Sequence, residues 1–180
     1  MRILMIIVSL ISLSSCWSKV RPGTYIAPRV WGNKPIYSSF AQAKQISYST
    51  VALPVINAGN IYAKGNLIYQ LDMGKGIHVI DNSIPAQAHR VAFITVNGSS
   101  QISIKGNFLY TNSYDDLVVI DISNSNTVKE VKRVAGALPQ GKFRYFYDQP
   151  LETGYYECPL YDSAVIGWRK DSVQSNCYKN

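Results

Sequence analysis

Eleven acidic side chains, two histidines and three cysteines are the groups available here for acid–base, nucleophilic or metal chemistry. Asp81 and Asp121 each end an apolar run and are followed two positions on by Ser83 and Ser123. A carboxylate so placed accepts the backbone N–H two residues ahead and starts an Asx turn, so both read as structural. His78 lies inside an apolar run and reads as a packed, hydrogen-bonded imidazole, whereas His89 begins a predicted strand with no acidic or cysteine neighbour. Two histidines with no HxxxH-type pair and no Cys–His cluster do not make a zinc site. Asp115 and Asp116, beside Asn112 and Ser113, are the most acidic local group. They lack EF-hand spacing and read as a solvated hairpin loop rather than a calcium site. Glu130, Glu152 and Glu157 could supply hydrolase carboxylates, but their spacing selects no pair. No GxSxG elbow, phosphate loop or dinucleotide fingerprint occurs. The expectation is therefore no catalytic residue, no metal and no cofactor.

The chain opens with Met1-Arg2 and the apolar run ILMIIVSLISLSS, too short for a comfortable transmembrane helix and suited to a signal-peptide core. The run ends in Leu13-Ser14-Ser15-Cys16, which resembles a bacterial lipobox. That resemblance implies a signal peptide over 1–15, a diacylglycerol on the Cys16 thiol and a membrane anchor, since two or more acyl chains hold a protein where one binds only marginally. Trp17 stands where an Asp would suggest inner-membrane retention in enteric bacteria, so the expected address is the outer membrane, on its periplasmic or its surface side. With Cys16 acylated, Cys158 and Cys177 are left as an even pair in a compartment that permits disulfides, and a bridge between them is expected.

The elements that must carry these residues are written twice between Ile61 and about Val134. Ile61, Lys64, Gly65, Asn66 and Tyr69 recur 41 positions later as Ile102, Lys105, Gly106, Asn107 and Tyr110. Val79, Ile80, Asp81, Ser83 and Val91 recur 40 positions later as Val119, Ile120, Asp121, Ser123 and Val131. A period near 40 built from short strands marks propeller-type repeats. Strands are predicted at 60–64, 67–71, 77–80 and 88–96 in repeat 1 (about 60–100), and at 101–105, 108–112, 117–122 and 128–134 in repeat 2 (about 101–140). Gly65-Asn66 and Gly106-Asn107 tolerate the positive φ that tight hairpins require.

Around the repeats, Ser38-Ser39 before FAQAKQI predicts one short helix capped by a serine, with Phe40, Ala43 and Ile46 as its apolar face. Residues 16–35, rich in Pro, Gly and aromatics, read as a lipidated N-terminus and tether. Residues 36–180 form a single β domain ending in an aromatic cap over 141–180. Tyr145, Tyr147, Tyr155, Tyr156 and Trp168 form a candidate ligand surface there, because aromatics with a polar handle suit protein and carbohydrate recognition. The +7 net charge is scattered, with no basic arm and no nucleic-acid motif, so attraction to anionic surfaces is all it supports.

IHVID and LVVID resemble the LVIVD repeat of bacterial and archaeal β-propeller proteins, and NAGNIYAKGNLIYQ, GKGIHVIDNSIPAQA, FITVNG and LYTNSYDDLVVIDIS resemble the LVIVD-repeat lipoproteins of Bacteroidetes. The resemblance implies a propeller-like fold and a lipid anchor but no activity. The expected fold is all-β: two tandem four-stranded propeller-like blades, one short N-terminal helix and the aromatic cap. Two blades do not close a propeller, so either the flanking segments cap them or several chains assemble into a ring. Capping is the expectation, with tail aromatics packed on 117–120 or neighbouring strands. The expected function is a non-catalytic, lipid-anchored envelope module that binds or scaffolds an unknown protein or glycan. An envelope hydrolase with an unrecognised carboxylate site is the alternative.

Overall fold

A computed structural model describes residues 27–124, 127–138, 149–160 and 162–180. The expected signal peptide, Cys16, Tyr145 and Tyr147 lie outside these residues. The described chain opens with strand β1 (Arg29–Ser38), the one-turn helix α1 (Phe40–Ala43) and strand β2 (Ser47–Ser49). Ser39 caps α1 as expected, its side chain accepting from the Gln42 N–H. Repeat 1 supplies β3 (Ala58–Lys64), β4 (Leu67–Asp72), β5 (Gly76–Asp81) and β6 (His89–Thr95). Repeat 2 supplies β7 (Ile102–Lys105), β8 (Phe108–Ser113), β9 (Asp116–Asn124) and β10 (Thr127–Val134). The chain ends with β11 (Gly154–Tyr156), β12 (Ala164–Gln174) and β13 (Cys177–Lys179).

Each repeat folds into its own antiparallel sheet. The orders are β2-β6-β5-β4-β3, where β2 from the flanking segment before the repeats adds a fifth strand, and β10-β9-β8-β7. Gly65 and Gly106 turn the first hairpins at φ +56° and +60°, while Asn66 and Asn107 stay at negative φ, as in a type II′ turn. The positive-φ demand therefore falls on glycine alone. The sheets pack face to face. Tyr69, Leu71, Ile77, Val79, Ala92, Ile94 and Val96 of the first meet Ile102, Ile104, Leu109, Val118, Ile120 and Ile122 of the second. Burial of each such aliphatic side chain contributes about 1.5–3 kcal/mol, which makes this the main core.

The third sheet, in the order β12-β1-β11-β13, joins the two ends of the described chain. β1 runs antiparallel to β12 along its full length and parallel to β11 through Asn33 and Tyr156. Residues 29–35, expected as tether, are thus an inner strand. Their polar and Pro-containing sequence hid it, because the pairing partners lie more than 120 positions away. The disulfide Cys158–Cys177 closes this sheet beside the β11–β13 pairing. Among the described residues, no tail residue belongs to the core around Val118 and Ile120. The tail pairs with β1 instead and meets the repeats through Ala164, which packs with Ala43, Tyr114 and Phe40.

The Asp115-Asp116 loop is not solvated as expected. Asp116 is buried, and its carboxylate accepts from Lys44 Nζ (3.0 Å), Arg133 Nη1 (3.0 Å) and the Gly136 N–H (3.0 Å). Arg133 also holds Glu130 at 2.8 and 2.7 Å and donates to the Lys44 carbonyl, tying α1 to the second sheet. Burial alone would raise the Asp116 carboxyl, but the Gly136 N–H and the two cations hold it below the ordinary carboxylate range. Lys44 is pushed upward: the Asp115 and Asp116 carboxylates outweigh its own desolvation.

Candidate functional site

A cavity of about 580 Å³ lies between the third sheet and the loops at one end of the two repeat sheets. Trp168 of β12 forms one wall and stands edge-on to the buried Tyr156 of β11, with ring centroids 5.6 Å apart. Cross-strand pairing sets this wall. Asn33 lies opposite both Tyr156 and Lys170, so all three project from one sheet face, with Trp168 two positions before Lys170 on the same strand. Gly32 permits the close approach of β1 to β11, since a Cβ there would sit 2.5 Å from the Tyr155 carbonyl oxygen and 2.8 Å from Val173 Cγ2.

The opposite walls come from loops that buried polar side chains hold in place. Asp72 is buried and accepts the Ile56 N–H at 3.0 Å and the Asn57 N–H at 2.7 Å, fixing that loop at the cavity edge. His78 Nε2 lies 3.3 Å from the same carboxylate, and the imidazole packs on Phe93 with centroids 4.7 Å apart. His78 is thus the packed, hydrogen-bonded residue anticipated, although its Nδ1 has no partner. Asn112 does the corresponding work in repeat 2, accepting the Ser100 N–H at 2.8 Å and donating to the Gly98 carbonyl at 2.7 Å. Lys75 crosses from the β4–β5 hairpin to donate to the Ile166 carbonyl at 2.8 Å, joining the repeats to the third sheet.

The lining is mainly apolar. Ile56, Met73, Leu151 and Ile166 surround Trp168, with Gln101 and Gln149 among the polar groups. The charged rim holds the Lys170–Glu152 ion pair at 2.5 Å. Such a site can desolvate an apolar group and hydrogen-bond a polar one beside it.

The residues singled out by sequence are scattered. Asp81 and Asp121 accept from the Ser83 and Ser123 N–H groups, both at 2.8 Å. Hydrogen bonds from the serine side chain and backbone hold the Asp81 carboxyl below its usual range, and those from the Ser123 backbone and side chain do the same for Asp121. Of the aromatic group, Trp168 lines the cavity, and the buried Tyr156 packs edge-on against it. Tyr155 projects from the opposite face of its strand and meets Tyr178 edge-to-face, with centroids 4.9 Å apart. Glu130, Glu152 and Glu157 do not converge on one another as partners. Each is engaged by a cation: Arg133, Lys170 and Lys34 respectively. Asp72 was missed by sequence reasoning. Its signal was a departure from the repeat, for the position 41 residues later is Ser113.

Two stacked repeat sheets and a third sheet built from both ends of the described chain define an all-β repeat protein with a cavity at the junction. The LVIVD repeat family model matches residues 98–135, which span β7 to β10. No curated protein and no solved structure gave a significant match.

Proposed function

We propose that this chain is a lipid-anchored, non-catalytic binding module of the cell envelope, its repeat sheets arranged as neighbouring blades of a propeller-type unit. The cavity beside Trp168 is the binding site. Its mixed apolar and polar lining, walled on one side by Trp168, whose ring meets Tyr156 edge-on, carries this reading. Aliphatic walls from Ile56, Met73, Leu151 and Ile166 fit an apolar side chain of a partner polypeptide better than a hydroxyl-rich sugar, whose polar groups would be left unpaired there. Gln101 and Gln149 supply hydrogen bonds for the backbone that carries such a side chain.

The test screens the purified full chain, wild type and Trp168→Ala in parallel, against a peptide library and a glycan array. Peptides with an apolar anchor should bind, and Trp168→Ala should weaken them about tenfold or more, as expected when a central aromatic is truncated. Binding only to glycans would assign the other ligand class. Peptide binding untouched by Trp168→Ala would place the site elsewhere.

A further inference from the structure

The two repeats are stacked with a direction, and that direction leaves one face of each sheet unmatched. Repeat 1 contributes Tyr69, Ile77 and Val79 to the shared core, a face termed here its front. Shifted by the repeat offset, these positions become Tyr110, Leu117 and Val119. Those residues are not in the core. Repeat 2 faces repeat 1 instead with Leu109, Val118 and Ile120, the residues of its opposite face, or back. The contact is therefore front of repeat 1 against back of repeat 2, and the front of repeat 2 points away.

That outward front is apolar at its centre and half open, with Lys132 opposite Val119 and the buried Asn112 opposite Leu117. Tyr110, Leu117 and Val119 are half-buried, and Phe108 and Val134 at its margins are 40% and 43% exposed. Its counterpart is the back of repeat 1. There Ile61, Ile68 and Ile80 hold the positions that Ile102, Leu109 and Ile120 hold in the buried back of repeat 2. Ile61 is 63% exposed, and Ile68 and Ile80 are half-buried. Toward the far end of that back, His78 and Phe93 are already covered, so the open part lies near the β3–β4 hairpin.

We infer that the front of repeat 2 docks the back of repeat 1 of a second copy of this chain, extending between chains the contact that joins the repeats within one. The occupant follows from repeat equivalence. At Tyr110, Leu117 and Val119 the face on offer repeats Tyr69, Ile77 and Val79, which the chain already buries against a repeat back, while Asn112 and Lys132 stand where Leu71 and Ala92 do, so a repeat back is the surface that its apolar part fits. Such a contact is head-to-tail and gives a closed ring or an open array, according to the rotation between copies.

Site-directed cross-linking of the full chain in detergent tests this. Ile68→Cys and Val119→Cys variants, mixed under mild oxidation, should give a disulfide-linked dimer that neither variant forms alone, mapped by mass spectrometry to positions 68 and 119. Phe108→Glu, at an exposed position that leaves the core intact, should turn the wild-type oligomer into a monomer in sedimentation velocity at an unchanged melting temperature. If either cysteine variant fails to fold, the Phe108→Glu comparison decides the matter. A wild-type chain that sediments as a monomer at the highest workable concentration overturns the inference. So does a dimer formed by Val119→Cys alone, which would mean two fronts paired about a two-fold axis.

Discussion

Asp115 and Asp116 are adjacent and chemically identical, yet replacing them should have very different consequences. Asp116 has a side chain only 3% exposed, and it accepts from Lys44, Arg133 and the Gly136 N–H. Asp116→Asn keeps the shape but removes the charge, so a carboxamide faces two cations. Breaking a buried ion pair by removing one partner costs about 3–5 kcal/mol. The lower end applies here, because Lys44 keeps Asp115 at 2.9 Å and Arg133 keeps Glu130 at 2.7 Å. About 3 kcal/mol should lower the melting temperature by roughly 6–12 °C in a chain of this size. Asp115→Asn removes one contact of a side chain that is 28% exposed and should cost less than about 1 kcal/mol. The wild-type dependence on pH follows from the depressed Asp116 carboxyl. Its contribution is complete above the unfolded carboxylate value near 3.9 and is lost as pH falls through the lower folded value. Asp116→Asn should flatten that acid limb. Thermal melts of both variants from neutral pH to about pH 2 provide the assay. Equal melting temperatures for the two variants, or an unchanged acid limb, would refute the account.

Gly32→Ala should destabilise by about 1–3 kcal/mol, since backbone rather than a flexible side chain blocks the new methyl group. Urea unfolding measures this, and a neutral result would mean that β1 and β11 can part freely. Removing the Cys158–Cys177 bridge by paired serine substitutions should cost about 3 kcal/mol for a separation of 19 residues. An unchanged urea midpoint in the serine variant would contradict it. Lys44, raised by its two carboxylates, contributes stability fully below its unfolded value near 10.5, and that contribution is lost as pH rises through the higher folded value. Alkaline melts of wild type and Lys44→Met should therefore converge at high pH, and parallel curves would exclude the ion pair as the cause. Metabolic labelling with a palmitate analogue should mark the wild type but not Cys16→Ala, which should leave the membrane. Equal labelling would dismiss the anchor.

The eight repeat strands were legible in the sequence because everything that makes them is local. Apolar alternation selects a face, and Gly65 and Gly106 close each hairpin between partners a few positions apart. The Asx turns at Asp81 and Asp121 span two residues and were equally plain. The third sheet depended on distance. Asn33 pairs with Tyr156 and Lys170 only after both ends of the described chain are brought together, and no periodicity in 29–35 announces such partners. The buried carboxyl groups of Asp72 and Asp116 belong to the same class, for an acidic side chain reads as solvated until packing surrounds it with donors from remote segments. The cavity is the extreme case. Its walls are Trp168 near one end of the chain, Ile56 before the repeats and Met73 inside the first, so it exists only where three separately formed surfaces meet.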